Sequence, residues 1–174
     1  MNKRYLDRLL AQNKKYAQEN KKLFVKYCNA QHPKIAVLTC SDSRVIPEYI
    51  FNQSIGEMFV VRVAGNVAMD STIISSLEYA INKLNVELLV ILGHTNCGAV
   101  HESEKCCNGS ISLFNEIRQS FNLDDDHILC NLLYQMKMLP KRSSIIDKAI
   151  KSNSLQLVGA IYNLENGLVQ FIQV

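Results

Sequence analysis

The 174-residue chain has little that would interrupt a packed core. It carries three prolines and seven glycines against 48% hydrophobic and 20% charged residues, which excludes a low-complexity or disordered polymer. It also lacks any apolar run near the roughly 20 residues needed to cross a bilayer. Its first segment is polar and lysine-rich instead of signal-like, so a cytoplasmic location is expected. Without an export signal, the six cysteines imply reduced thiols, some on metal or buried, and no structural disulfide. Internal repeats and linkers are absent as well, and the length suits one domain spanning 1–174.

Net charge is only +3, but it is unevenly spread. Residues 1–34 hold nine Lys and Arg against Asp7 and Glu19, so the remainder is acidic. Tyr5, Leu6, Leu9 and Leu10 give this basic segment an apolar side, which suggests a helical arm over residues 1–32. Such a helix can bind membrane or nucleic acid, but the favoured reading is a solvated face on a helix that packs against the body or a partner subunit. Neither a nucleic-acid nor a membrane partner is expected.

The body, residues 33–174, alternates strands and helices. Residues 34–40 (KIAVLTC) are a short β-branched run after Pro33 and read as a buried strand with Cys40 at its end. Residues 57–63 read as a second strand, broken by Ala64-Gly65-Asn66, and Asp70 caps a helix with Ile73, Ile74, Leu77, Ile81 and Leu84 at helical spacing. Residues 87–92 are a third strand, followed by the loop holding His94 and Cys97. From Gly98 to Ile150 the pattern is mainly helical, with Leu129, Leu132, Leu133 and Met136 in one stripe and Ser143 or Ser144 capping the last helix. Residues 155–162 are a fourth strand, and Asn166-Gly167 marks a two-residue hairpin into a fifth, residues 168–172. The expected fold class is α/β: a mainly parallel sheet of four strands, an antiparallel fifth edge strand, helices on the faces and ligands outside the strand C-termini.

Two thiolates and one imidazole, Cys40, His94 and Cys97, follow two strands of this sheet and suit zinc. Three protein ligands leave a position for water, whose pKa the metal lowers toward neutrality. The bland reading is that a cysteine at a strand end is a small buried hydrophobe and that His-x-x-Cys is a weak pattern. Against it stands Cys40-Ser-Asp42-Ser-Arg44, an acid and a base just beyond a ligand. Arg44 can hold Asp42 ionised through a bidentate hydrogen bond, and Asp42 can accept a proton-bearing group; alternatively, Asp42 only binds backbone amides in a turn.

The segments Cys40-Ser-Asp-Ser-Arg44-Val and Gly93-His94-Thr-Asn-Cys97-Gly98 together resemble the two signatures of the β-class carbonic anhydrases. The likeness extends through Phe59-Val-Val-Arg62-Val-Ala-Gly-Asn66, Ser76-Leu-Glu-Tyr79-Ala80, Val158-Gly-Ala-Ile-Tyr162 and Asn166-Gly167, nearly the whole chain after the arm. The resemblance implies one zinc ion per chain on Cys40, His94 and Cys97, with Asp42 and Arg44 as the catalytic pair. It also implies reversible hydration of carbon dioxide to bicarbonate and a proton. Gln31 resembles the substrate-binding glutamine of the plant-like branch in its small form, and Phe59 and Tyr79 match that branch's apolar pocket. Beside these, the Gly98 amide is a candidate donor to the substrate. Taken alone, the two aromatics read as core and Gln31 as surface.

The resemblance further implies a homodimer or dimer of dimers, the arm lying on the neighbour and part of the pocket crossing the interface. Val63 departs from the family's frequent asparagine, away from the metal and the pair. His101, His32 and His127 are candidate proton relays. Cys106 and Cys107, vicinal in a helical stretch after His101, are poorly placed to chelate one ion, and Cys28 and Cys130 have no recognisable partner motif. The rival functions are hydrolysis of carbonyl sulfide or carbon disulfide on the same fold, and a non-catalytic zinc-binding interaction protein.

Overall fold

The structure, a computed structural model, describes residues 3–105, 112–121 and 126–172. Cys106 and Cys107 lie outside the described residues. The chain forms two compact units, Met1–Gln31 and His32–Val174.

The first unit contains two helices where the sequence suggested a single arm: α1 (Lys3–Glu19) and α2 (Lys21–Tyr27). The break falls at Asn20, whose side-chain amide donates to Tyr16 O at 2.9 Å and so offers the backbone a local alternative to continuing the helix. Neither helix buries a residue, and Tyr5, Leu6, Leu9 and Leu10 are all exposed.

The second unit runs β1 (Ile35–Thr39), α3 (Pro47–Ile50), β2 (Met58–Arg62), a 3₁₀ turn (Ala64–Asn66), α4 (Ser71–Leu84), β3 (Leu88–His94), α5 (Gly98–Lys105), α6 (Ser112–Arg118), α7 (His127–Arg142), α8 (Ser144–Lys151), β4 (Gln156–Tyr162) and β5 (Val169–Ile172). The strands form one sheet in the order β2-β1-β3-β4-β5, with β5 antiparallel to β4 and every other pair parallel. β1 and β3 are central and covered on both faces, which explains why their sequences read as unbroken apolar runs and not as alternation.

Alternate residues of these strands feed two cores. Ala36, Leu38, Leu89 and Ile91 pack with Leu77 of α4, Leu132 and Leu139 of α7 and Ile146 of α8. Val37, Val90 and Leu92 point the other way, toward Val45, Ile50 and Phe51. Each fully buried Leu or Ile contributes about 1.5–3 kcal/mol, so the α4/α7/α8 face supplies most of the sheet's anchorage.

The caps follow the sequence closely. Asp70 Oδ1 accepts from Thr72 N at 2.8 Å, and Ser143 Oγ, not Ser144, accepts from Ile146 N at 3.2 Å. The β4–β5 connection differs from a two-residue hairpin. Asn163 N donates to Leu168 O and Gly167 N to Asn163 O, both at 2.9 Å, so residues 164–167 form a four-residue turn with Gly167 at φ +73°. The cause is Asn163, whose side chain accepts from Glu165 N at 2.8 Å and turns the chain before Asn166 is reached.

β1 hands the chain to β2 on one side, while its other neighbour is β3. The loops leaving β1 and β3 therefore diverge at their C-terminal ends, and this parting of connections is where an open α/β sheet leaves a crevice.

Candidate metal centre

Cys40 follows the last residue of β1, His94 ends β3, and Cys97 immediately precedes α5. Parallel pairing with Thr39 opposite Leu92 brings the first two to the same end of the sheet, and a buried bond from Thr39 Oγ1 to Leu92 O at 3.0 Å ties the strands together there. The ligand atoms of Cys40, His94 and Cys97 all lie within 4.8 Å of one another, and all three residues are buried. The two sulfurs are 3.9 Å apart. Two thiolates on one tetrahedral zinc, with Zn–S near 2.3 Å, would stand about 3.8 Å apart.

His94 Nδ1 lies 2.9 Å from Thr95 O. A carbonyl only accepts, so Nδ1 carries the proton and Nε2 presents its lone pair. That Nε2 is buried with no hydrogen-bond partner among the described residues. A buried orphan acceptor is costly, and a cation beside two sulfurs satisfies it.

Both sulfurs also sit in cradles of backbone amides. Cys40 Sγ accepts from Gly65 N at 3.3 Å. Cys97 receives backbone hydrogen bonds from Ala99 and Val100 in the first turn of α5, where an anion is favoured. A Cys97 S–H donating to Cys40 pulls the Cys40 thiol well below its ordinary range, while the same bond and burial push Cys97 up. The two sulfurs compete for one negative charge, and a divalent cation ends the competition by taking both as thiolates. The donor set therefore fits zinc.

Asp42 and Arg44 form a two-pronged pair: Arg44 Nε donates to Oδ1 at 3.0 Å and Nη2 to Oδ2 at 2.7 Å. Arg44 N also donates to Oδ1 at 2.9 Å, so the turn reading and the ion-pair reading both hold. These side-chain bonds from Arg44 hold the Asp42 carboxyl far below the usual carboxylate range, against the opposing effect of partial burial. Asp42 Oδ2 lies 3.9 Å from His94 Nε2, alongside the Cys/His/Cys group.

Sequence reasoning gave no role to Arg62, at the end of β2. Its Nη2 donates to Asp42 O at 2.7 Å and its Nε to Cys40 O at 3.4 Å, pinning the loop that carries both residues. Thr95 was likewise missed: its carbonyl accepts a hydrogen bond from His94 Nδ1, and its Oγ1 accepts from Leu164 N at 3.0 Å. Both stand inside segments that resemble the family, yet their tasks stay hidden in the sequence, since Arg62 acts on carbonyls 20 and 22 residues away and Thr95 Oγ1 on an amide 69 residues away.

Of the remaining expected residues, Gly98 directly follows Cys97, while Phe59 sits lower on β2. Phe59 and Tyr79 form a tilted ring pair, centroids 6.2 Å apart, with Phe59 against the main core and Tyr79 48% exposed. Phe59 lies opposite Ala36 in the β1–β2 register, four residues and so about 13 Å down the sheet from the level of Cys40. Gly98 opens α5, is exposed and has free space where a Cβ would stand. Gln31 is exposed at the end of the first unit. His101 and His127 each face the Glu104 carboxylate, at 3.5 and 2.9 Å, beside a cavity of about 320 Å³ that reaches Cys97. His32 is exposed.

An open α/β sheet with a buried Cys/His/Cys group at its switch point, able to hold a metal ion, defines the class of protein. The family model for carbonic anhydrase matches residues 35–169. Carbonic anhydrase 2 of Mycobacterium tuberculosis is 37% identical over 152 residues, covering 79% of this chain and 73% of that protein. The Coccomyxa β-carbonic anhydrase in complex with acetazolamide superposes with a TM-score of 0.82 at 27% identity, over 96% of this chain and 86% of its own. One of the tetrameric β-carbonic anhydrases of Sordaria macrospora shares the fold at a TM-score of 0.80 and 21% identity, over 98% and 95%. The chain belongs to the β-class carbonic anhydrases, and with them to the lyases.

Proposed function

We propose that this chain binds one zinc ion through Cys40, His94 and Cys97 and catalyses the reversible hydration of carbon dioxide to bicarbonate and a proton. The observation that carries the reading is the buried, unpartnered His94 Nε2 grouped with two sulfurs beside an ionised carboxylate. Bound there, zinc would lower the pKa of a water in its open position and so supply a nucleophile near neutral pH.

The protein's own groups do the rest. Asp42, ionised at neutral pH and held in place by Arg44, can only accept, so it holds a proton-bearing nucleophile by its hydrogen and rejects ligands without a proton to give. The two-pronged pair fixes the carboxylate plane, which aims the nucleophile's free lone pair at the substrate. Carbon dioxide is small and without net dipole, so an apolar hollow with one or two donors suits it; Phe59 and Tyr79 would supply the hollow, Gln31 and the Gly98 amide the donors. Within one chain Phe59 and Tyr79 pair with each other and not with the metal cluster, which supports a pocket completed across a subunit interface.

That arrangement requires a homodimer or a dimer of dimers, with residues 1–32 as an arm on the neighbour and residues 33–174 as the catalytic body of one domain. The exposed apolar residues of α1 support it. No helix among the described residues is long and apolar enough to cross a membrane, and a cytoplasmic setting would keep the Cys40 and Cys97 thiols reduced and available to a metal. A non-catalytic zinc protein would need neither member of the Asp42–Arg44 pair.

The test is zinc analysis with stopped-flow hydration on the native chain and on Asp42→Ala, with carbonyl sulfide and carbon disulfide as alternative substrates. A zinc-replete native protein that leaves carbon dioxide hydration at the buffer rate would overturn the proposal.

A further inference from the structure

Cys97 finds its amide donors locally, at the start of the helix it precedes, while Cys40 has a local backbone donor at Asp42 and reaches far along the chain for another. One of its donors, Gly65 N, comes from 25 residues away. Gly65 holds φ +66°, and a Cβ there would stand 2.7 Å from Ile117 Cδ1, so the turn needs glycine and needs holding.

The side chains that hold it all come from α7. Asn131 Nδ2 donates to Gly65 O at 2.8 Å, Gln135 Nε2 donates to Asn131 Oδ1 at 3.2 Å, and Ala68 N donates to Gln135 Oε1 at 2.9 Å. Arg142 Nη1 completes the grip on Ala68 O at 2.9 Å. Positions 131, 135 and 142 are spaced by four and seven, so one helical face presents all three to residues 65–68.

The orientation of both amides is forced by the backbone at the chain's two ends. Gly65 O can only accept, which turns the NH₂ of Asn131 toward it, and Ala68 N can only donate, which turns the oxygen of Gln135 toward it. The remaining Gln135-to-Asn131 bond then has the one polarity that works. Asn131 and Gln135 are fully buried among Leu132, Met136 and Leu139, on a face where apolar side chains would pack as well. Two buried amides are retained because the turn's backbone needs them, and another polar group of the turn, Gly65 N, is aimed at a metal ligand.

We propose that Asn131 and Gln135 are positioning residues for Cys40: by fixing Gly65 they hold its amide on the Cys40 sulfur and so set the charge which that sulfur offers to the metal. The inference rests on the zinc reading of the site. The effect works by placement, since Gly65 N and Gly65 O belong to different peptide planes. An amide bond to a thiolate withdraws negative charge, and two thiolates would otherwise leave the metal with little positive charge to act on a water.

The experiment uses the full-length protein with cobalt(II) in place of zinc, reading the sulfur-to-cobalt charge-transfer band, together with zinc affinity by chelator competition. Asn131→Leu and the near-isosteric Gln135→Met should shift the band to lower energy and weaken zinc binding by about 10- to 100-fold, Gln135→Met the less. Leu139→Val, on the same helix but outside the hydrogen-bonded chain, should lower the melting temperature and leave band and affinity unchanged. Folded variants with the native band and native affinity would overturn the proposal, as would a Leu139→Val protein shifted as far as they are. Should Asn131→Leu not fold, Gln135→Met decides in the same way. A native protein that gives no charge-transfer band at all would refute the metal reading, a failure separate from this one.

Discussion

At Asp42 the geometry separates charge from orientation. Arg44 holds the carboxyl below its ordinary range, so the folded pKa is depressed, and the resulting stabilisation is present above the unfolded value of about 4 and is lost as pH falls through the folded pKa. Between pH 6 and 9 the carboxylate stays ionised even if Arg44 is removed. The loss of kcat/KM in Arg44→Ala should therefore be constant over that window, reporting lost aim alone; a loss that vanishes at alkaline pH would mean Arg44 acts on a titration instead. Arg44→Lys keeps the positive charge but not the planar fork, and should still lose about tenfold. Asp42→Ala should cost on the order of a hundredfold or more in kcat/KM with zinc content unchanged, measured by stopped-flow hydration and metal analysis. Because two thiolates offset the metal's charge, native activity should rise with pH, and a flat rate from mildly acidic to alkaline conditions would contradict the ligand set.

Among the elements, what was legible in the sequence was what is written in consecutive residues. The buried strands β1 and β3 show as β-branched runs, and α4 announces itself through Asp70 and its helical spacing. Replacing Asp70 by Ala should cost about 1 kcal/mol in denaturant unfolding, and by Asn only a few tenths, with hydration activity unchanged in both. The grouping of Cys40, His94 and Cys97 and the Asp42–Arg44 pair were legible for the same reason, since each signature is a short contiguous run. What escaped is non-local. α3 is only four residues long, too short to show a period. The β4–β5 turn was misread because Asn163, ahead of the Asn-Gly pair, turns the chain early. Asn131 and Gln135 lie to one side of the stripe of Leu129, Leu132, Leu133 and Met136 on α7, where polar residues read as solvated, and nothing in that helix reveals that a turn 66 and 67 residues upstream needs their amides. Arg62 and Gly65 belong to a segment that resembles the family, yet their tasks emerge only when β2 lies beside β1.

For the whole molecule, the decisive question is what covers α1. Its seventeen residues bury none of their number, while Tyr5, Leu6, Leu9 and Leu10 set large apolar side chains on one side of a strongly basic helix. An isolated helix of this length is marginal in water, so it needs an apolar surface to pack on. If that surface belongs to a second copy, a charge placed at Leu9, 67% exposed within the chain, should leave the body folded and weaken assembly. Leu9→Glu is therefore expected to give a smaller species in sedimentation velocity at micromolar concentration. Zinc content and the body's thermal transition should stay native, and kcat/KM should fall with the loss of a pocket that needs both chains. Deleting residues 1–25 should have the same effect more completely. A Leu9→Glu protein that sediments as the native form would place the arm's apolar side elsewhere, and a fully active monomer would show that the pocket is complete within one chain. Activity that falls on dilution of the native protein, in step with its dissociation, would tie the catalytic site to the assembly without any substitution at all.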